Sequence, residues 1–215
     1  MTNPILLDFP EQIESARLII RAPRAGDGPA LNAAVCESLP ELRRWLPWAQ
    51  RAPSLDESEA GVRRGRARWI LRDDLWLLLF LKNLDGVIES GKESEKESEK
   101  ESEKESGKES GKEGILVGAS GIHRMDWTVR RFEIGYWLRT SLYGQGYMTE
   151  AVHAIAGFAF DILHARRVEI RADELNYRSW RVAERCGFEL EGTLRNEVVD
   201  EVGNPRNLRI YAQVR

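Results

Sequence analysis

Gly144 and Gly146, one residue apart, stand directly ahead of a helical pattern. Glycines there would let backbone N–H groups approach a ligand with no Cβ in the way. Behind them Met148, Val152, Ile155, Ala159 and Ile162 fall at spacings of four and three, the signature of an amphipathic helix. The first turn of such a helix has N–H donors without partners and the positive end of the helix dipole. Ahead of them Phe132-Glu133-Ile134-Gly135-Tyr136-Trp137-Leu138 is almost continuously apolar, as a strand buried on both faces is. Strand, glycine turn and helix start together make an anion site, and phosphate is the usual anion. A strand-to-helix turn with no ligand fits the spacing equally well. The turn is neither a Gly-x-x-x-x-Gly-Lys-Ser/Thr loop nor a Gly-x-Gly-x-x-Gly turn.

Four other features could carry chemistry. Glu133 is the only charge inside its strand and shares a face with Gly135 and Trp137. Burial there would raise its pKa, as a general base needs; an ion pair with a nearby arginine such as Arg131, or a rim position facing solvent, is the alternative. Trp45 and Trp48 frame a proline and fit either core filling or the wall of a small-molecule or peptide pocket. Asn176 suits a helix cap, and Ser179 falls in the first turn behind it. The histidines (His123, His153, His164) have no metal-ligand spacing, and no metal site is expected. Cys186, beside Gly187 at a helix end, reads as packing rather than as a nucleophile.

The phrase Glu-Ile-Gly-Tyr-Trp-Leu…Gly-Gln-Gly-Tyr-Met-Thr-Glu-Ala, with Ser141-x-x-Gly144-x-Gly146 inside it, resembles the pyrophosphate loop of the GNAT N-acetyltransferases, and their RimJ/RimL branch in particular. The resemblance covers nearly the whole chain outside residues 89–114, where the family's hairpin is short. It implies an α/β fold with a central mixed, mostly antiparallel sheet and helices on both faces. It implies acetyl transfer from acetyl-coenzyme A to an amine by direct attack, with no covalent enzyme intermediate. The acceptor would be a protein or peptide N-terminus, with a small amine such as an antibiotic, or a module that binds acetyl-coenzyme A without turnover, as alternatives. The pyrophosphate would lie on the amides of Leu142, Tyr143, Gly144, Gln145, Gly146 and Tyr147. Tyr136, Trp137, Leu138, Arg139, Met148 and Asn176 would complete the cofactor site, with a backbone N–H near Tyr136 or Trp137 as oxyanion donor. Asn176-x-x-Ser179 matches the branch's acid motif, so Ser179 would protonate the thiolate. The tyrosine that does this in many acetyltransferases is replaced by Ala183. Glu197 falls close to where the branch places a catalytic glutamate; a solvated strand-end glutamate is the alternative. Trp45, Trp48 and Glu133 would face the acceptor. A dimer is the branch's expectation.

The elements that must position these residues follow from the rest of the pattern. Residues 16–22 read as a first strand after a loose N-terminal arm, and a helix capped by Asp27 or Gly28 runs to about Ser38. A second helix at 55–71 carries Arg63, Arg64, Arg66, Arg68 and Arg72 on what reads as a solvated face. Strands follow at 75–81 and 115–125, then the central strand and helix, a strand at 167–172, a helix behind Asn176, and two strands at 188–197 and 207–214. A length of 215 residues suits one domain, 1–215. A net charge of −3 gives no nucleic-acid footprint. Two cysteines, no signal peptide and no apolar run of about 18 residues point to a soluble cytoplasmic protein with no membrane partner. One segment stands outside the pattern. Residues 89–114 repeat Lys-Glu-Ser-Glu without an apolar side chain, and read as a disordered or fraying insertion in a strand–strand hairpin.

Overall fold

The computed structural model describes residues 3–83 and 113–215. Among these, eight strands form one sheet in the order β1-β2-β3-β4-β5-β6-β8-β7. The strands are β1 (Gln12–Glu14), β2 (Leu18–Arg21), β3 (Leu75–Lys82), β4 (Glu113–Asp126), β5 (Arg131–Leu138), β6 (Arg167–Asp173), β7 (Glu189–Val199) and β8 (Pro205–Val214). The helices are α1 (Gly28–Leu42), α2 (Leu55–Leu71), α3 (Tyr147–Asp161) and α4 (Tyr177–Arg185). Every neighbouring pair is antiparallel except β5 and β6, which run parallel.

Period-two burial divides the sheet between two helical layers. Phe132 and Ile134 of β5 and Val168 and Ile170 of β6 pack on Met148, Val152, Ile155 and Ala159 of α3 and on Val182 and Ala183 of α4. Ile19, Leu78, Phe80 and Ala119 turn the other way, onto Leu31, Ala34 and Val35 of α1 and Val62 of α2, with Trp137 against the same cluster. The expected mixed, mostly antiparallel sheet with helices on both faces is the fold observed.

The departures have local causes. The N-terminal arm contains β1, whose Ile13 pairs with Ile20; three residues with one apolar side chain leave no period to read. Helix α1 continues past Ser38 to Leu42 with Pro40 inside it. Asp27 is its N-cap residue, as expected, but its side chain makes no cap bond, because its carboxylate binds buried Arg21 and the Arg24 N–H. Arg72 leaves the solvated face to end α2 in the left-handed conformation, and its guanidinium lies 4.1 Å over the Phe9 ring. Ile162 is exposed at the end of α3, and His164 lies beyond it. Residues 84–112, most of the Lys/Glu/Ser segment, lie outside the described residues. Its last two members, Glu113 and Gly114, belong to β4: Glu113 pairs with Lys82, and its carboxylate is bonded to Arg21.

Candidate functional site

The site begins where β5 parts from β6. The two strands pair at Arg131, Phe132 and Glu133 and no further, so the second half of β5 has β4 on one side and an opening on the other. Backbone direction alternates along a strand, and two contacts fix the phase. The Arg139 N–H donates to the Val117 carbonyl of β4 at 2.8 Å, and the Gly135 carbonyl accepts from Ser120 Oγ of β4 at 2.8 Å. Residues 135, 137 and 139 therefore direct their backbone groups at β4. Tyr136 and Leu138 direct theirs into the opening. Of the two expected oxyanion donors, the geometry favours Tyr136 over Trp137.

A 3₁₀ turn, Thr140–Leu142, carries the chain to the glycines. Its N–H groups are partly used: Leu142 donates to Arg139 O and Tyr143 to Thr140 O. Gly144 and Gly146 are both left-handed, with φ of 78° and 81°, a region that costs other residues strain. Gly146 is the N-cap of α3, and the first bond across the cap is Glu150 N–H to Gly146 O at 3.0 Å. The donors from Gly144 through Tyr147 precede that bond. Arg17 sets their direction. It holds the Gln145 carbonyl at 3.0 Å and stacks on the Tyr147 ring, and Glu150 holds it in turn. Because the peptide is trans, a Gln145 carbonyl turned to Arg17 turns the Gly146 N–H away from it. From the other side Glu37 of α1 accepts from the Ser141 N–H and the Arg139 guanidinium, and Ser38 Oγ accepts from the Thr140 N–H. Hydrogen bonds from Ser141 and Arg139 hold the Glu37 carboxyl down at about 2. A depressed pKa makes this brace complete above the ordinary carboxylate range, and it is lost only as pH falls toward 2.

Opening and turn share a cavity of about 590 Å³, lined on one side by Tyr136, Trp137 and Leu138 and by Tyr143, Gly144, Gly146 and Met148. The facing wall is α4, with Asn176 and Ser179 at its start. Asn176 caps the helix by accepting from the Ser179 N–H at 3.2 Å. The Ser179 hydroxyl lies 3.4 Å from Tyr136 Oη rather than on a backbone carbonyl, and the phenol donates to the Ser179 carbonyl at 2.9 Å. Burial pushes the Tyr136 pKa up, so the phenol keeps its proton. Residues beyond the expected set also line the cavity. Arg178, Arg181 and Arg185 recur at three and four along α4 and give that wall positive charge. Their spacing is readable in the sequence, but the face they take is not. Arg178 reaches across to Glu41 of α1 at 3.6 Å. Trp45 joins the lining, with the Arg206 guanidinium 5.0 Å over its ring.

Several expected site residues lie elsewhere. Trp48 is 55% exposed and meets Trp137 edge-on, so it stands at the rim rather than in the lining. Glu197 is exposed on the edge strand β7, outside the lining. Arg139, Leu142, Gln145 and Tyr147 support the turn without lining the cavity. Glu133 sits on the α1/α2 face of the sheet. Its raised pKa comes first from burial, with Arg124 opposing it; the expected ion pair with a nearby arginine is present, at 3.6 Å, but with Arg124 and not Arg131. One carboxylate oxygen of Glu133 is buried without a hydrogen bond. Cys186 is buried, its thiol bonded to the Thr149 carbonyl, and burial pushes its pKa up to about 11, which suits packing and not nucleophilic attack. Among the described residues no group of His, Cys, Asp and Glu could hold a metal ion.

The residues present fit a nucleotide diphosphate with a narrow arm. The glycine turn offers backbone donors, α4 offers cations, and the strand opening offers two outward-facing N–H groups. The family model for the acetyltransferase (GNAT) domain matches residues 17–189. The ribosomal-protein-serine acetyltransferase of Escherichia coli (strain K12) is 35% identical over 104 residues, 46% of this chain and 55% of that protein. The chain spans about half the length of the curated relatives it matches. The RimL ribosomal L7/L12 alpha-N-protein acetyltransferase, solved with coenzyme A, superposes with a TM-score of 0.76 at 23% identity over 95% of this chain and 98% of that one. The microcin C7 self-immunity acetyltransferase MccE, solved with acetyl-CoA and AMP, gives 0.77 at 18% identity over 96% and 98%. At these identities the structural likeness establishes the fold.

Proposed function

This chain belongs to the GNAT acetyltransferase family, and from that premise we propose that it moves the acetyl group of acetyl-coenzyme A to the α-amine of a protein or peptide. The parting of β5 from β6 beyond Glu133, with the glycine turn at its mouth, carries the proposal. Acetyl-coenzyme A supplies the activated thioester. The N–H groups from Gly144 to Tyr147 bind its pyrophosphate, helped by the start of α3 and by the arginines of α4. The Tyr136 N–H donates to the acetyl oxygen as charge develops there, and the Leu138 N–H holds the pantetheine arm. Ser179 donates its hydroxyl proton to the departing sulphur, and the Tyr136 phenol keeps Ser179 in place. The acceptor enters on the α1/α2 face past Trp45, Trp48 and Trp137, where Glu133 lies. The proposed acceptor is a protein α-amine of the kind named for the RimL alpha-N-protein acetyltransferase, and the proposed place of action is the cytoplasm. The branch's dimer is expected for this chain as well.

Incubation with acetyl-coenzyme A and peptides ending in serine or alanine is expected to release free thiol and add one acetyl group to the α-amine. Tight cofactor binding with no transfer to peptides would contradict the proposal and favour a binding module. Transfer to small amines alone would overturn the acceptor class.

A further inference from the structure

The α1/α2 face of the sheet carries a row of ionisable side chains that the proposed reaction has not yet used. Asp74 lies at the entry to β3, next to Leu75, which pairs with Ile122; His123 follows on β4. His123 pairs with Glu133 of β5, and Glu133 pairs with Glu169 of β6. Four ionisable groups thus face one another across four neighbouring strands. His123 Nδ1 is 2.9 Å from Asp74 Oδ2. A carboxylate at that distance accepts a hydrogen bond from Nδ1–H and leaves Nε2 as the imidazole's free lone pair.

The direction of the ring is set by two glycines. A Cβ at Gly121 would stand 2.7 Å from His123 Cε1 and 2.9 Å from Nε2. A Cβ at Gly135 would stand 3.1 Å from Cδ2 and 3.4 Å from Nε2. The ring therefore lies over both glycines and needs both to be bare. Gly135 is the residue between Glu133 and Trp137 on that face of β5. The imidazole, and not the Glu133 carboxylate, occupies the step next to the Trp137 wall of the cavity. His123 lies just outside the residues that line the cavity, one further strand repeat, about 7 Å along the face, from Trp137.

Resting on the acetyltransferase reading above, we propose that His123 Nε2, oriented by Asp74, takes the proton of the acceptor amine, directly or through one water. As the amine nitrogen's electron pair forms the bond to the acetyl carbon, its N–H bond breaks and the proton passes to Nε2. The C–S bond breaks with its electron pair on sulphur, which takes the Ser179 proton, and solvent resets both groups. Glu133 is then the charge beside the imidazolium. The charged groups around the ring are Asp74 from the entry to β3, Arg124 on β4 and Glu133 on β5, with Glu169 and Arg171 on β6 one strand further. The imidazole's side chain is 27% exposed, which gives its proton a way out.

The test compares wild type with His123→Gln and Asp74→Asn, measuring kcat/KM for a serine-ended peptide from pH 5 to 9 and coenzyme A affinity by calorimetry. Both variants are expected to lose about 10²-fold in kcat/KM, with cofactor Kd unchanged within twofold. The wild-type profile should carry two ionisations on its acidic side, one the peptide amine's own. In His123→Gln only the amine's should remain. Near-wild-type activity in His123→Gln would overturn the proposal, as would a loss of the same size at every pH with both ionisations retained, which is what a packing role gives. Absence of turnover in wild type would instead sink the acetyltransferase reading, and this proposal with it.

Discussion

Replacing Gly144 and Gly146 together with valine is expected to weaken coenzyme A binding by at least about 10²-fold without unfolding the protein. The cause is conformational and not steric. A Cβ at Gly144 meets nothing within 4 Å, and at Gly146 only Arg17 Nη2 at 3.5 Å. Both residues hold φ near +80°, where a β-branched side chain costs on the order of 1–3 kcal/mol. The turn would relax to negative φ and swing its N–H groups away from the ligand. A hydrogen bond to a charged group is worth about 1.5–3 kcal/mol, and tenfold in affinity is about 1.4 kcal/mol, so losing two donors accounts for the expected change. The double asparagine variant is the control. Asparagine visits the left-handed region at low cost, so it should bind within about tenfold of wild type. Calorimetry of the three proteins decides the matter. Equal affinity of the valine and wild-type proteins would mean that these amides do not hold the diphosphate.

Ser179→Ala is expected to lower kcat by about 10²-fold, the size of a single proton transfer by a positioned side chain, with coenzyme A affinity within twofold of wild type. The substitution is mild for the fold. Alanine is the better helix former, and the Tyr136 phenol still has the Ser179 carbonyl to donate to. A leaving thiolate without an acid departs more slowly, while the bound cofactor has lost only one distant hydroxyl. Steady-state rates beside calorimetric affinities separate the two effects. A variant with undiminished kcat would move the acid elsewhere, and the neighbouring Tyr136 phenol would be the first group to examine. If kcat held and only KM rose, Ser179 would be a binding residue.

The parts of the site legible in the sequence are those that one stretch of chain encodes by itself. The strand, the glycine turn and the start of α3 are contiguous, and each side chain's spacing states its conformation. The capping of α4 by Asn176 is likewise a contact over three residues. What stayed hidden depends on contacts between distant stretches. Asp74 and His123 are 49 residues apart and meet because β3 and β4 pair in one register. Glu133 stood out as a lone charge in an apolar strand, but only the strand neighbours show the imidazole lying between it and Trp137. The missing side-chain cap bond at Asp27 has the same origin. A buried arginine on β2 holds its carboxylate, and Glu59 of α2 accepts from the Gly28 N–H in its stead. Arg72 could not be told from the other α2 arginines until Phe9 was seen beneath it.

The measurement that bears most directly on the account is a titration of the isotopically labelled protein with coenzyme A, following the backbone amide resonances. Donors from Gly144 to Tyr147 are expected to move downfield with the diphosphate, and Tyr136 and Leu138 to shift with the pantetheine arm, while the Trp137 amide, bound to β4, moves least among the three. Saturating coenzyme A that leaves the 144–147 amides in place, or that shifts residues of another surface instead, would contradict the claim that this turn grips the cofactor and aims it into the opening between β5 and β6.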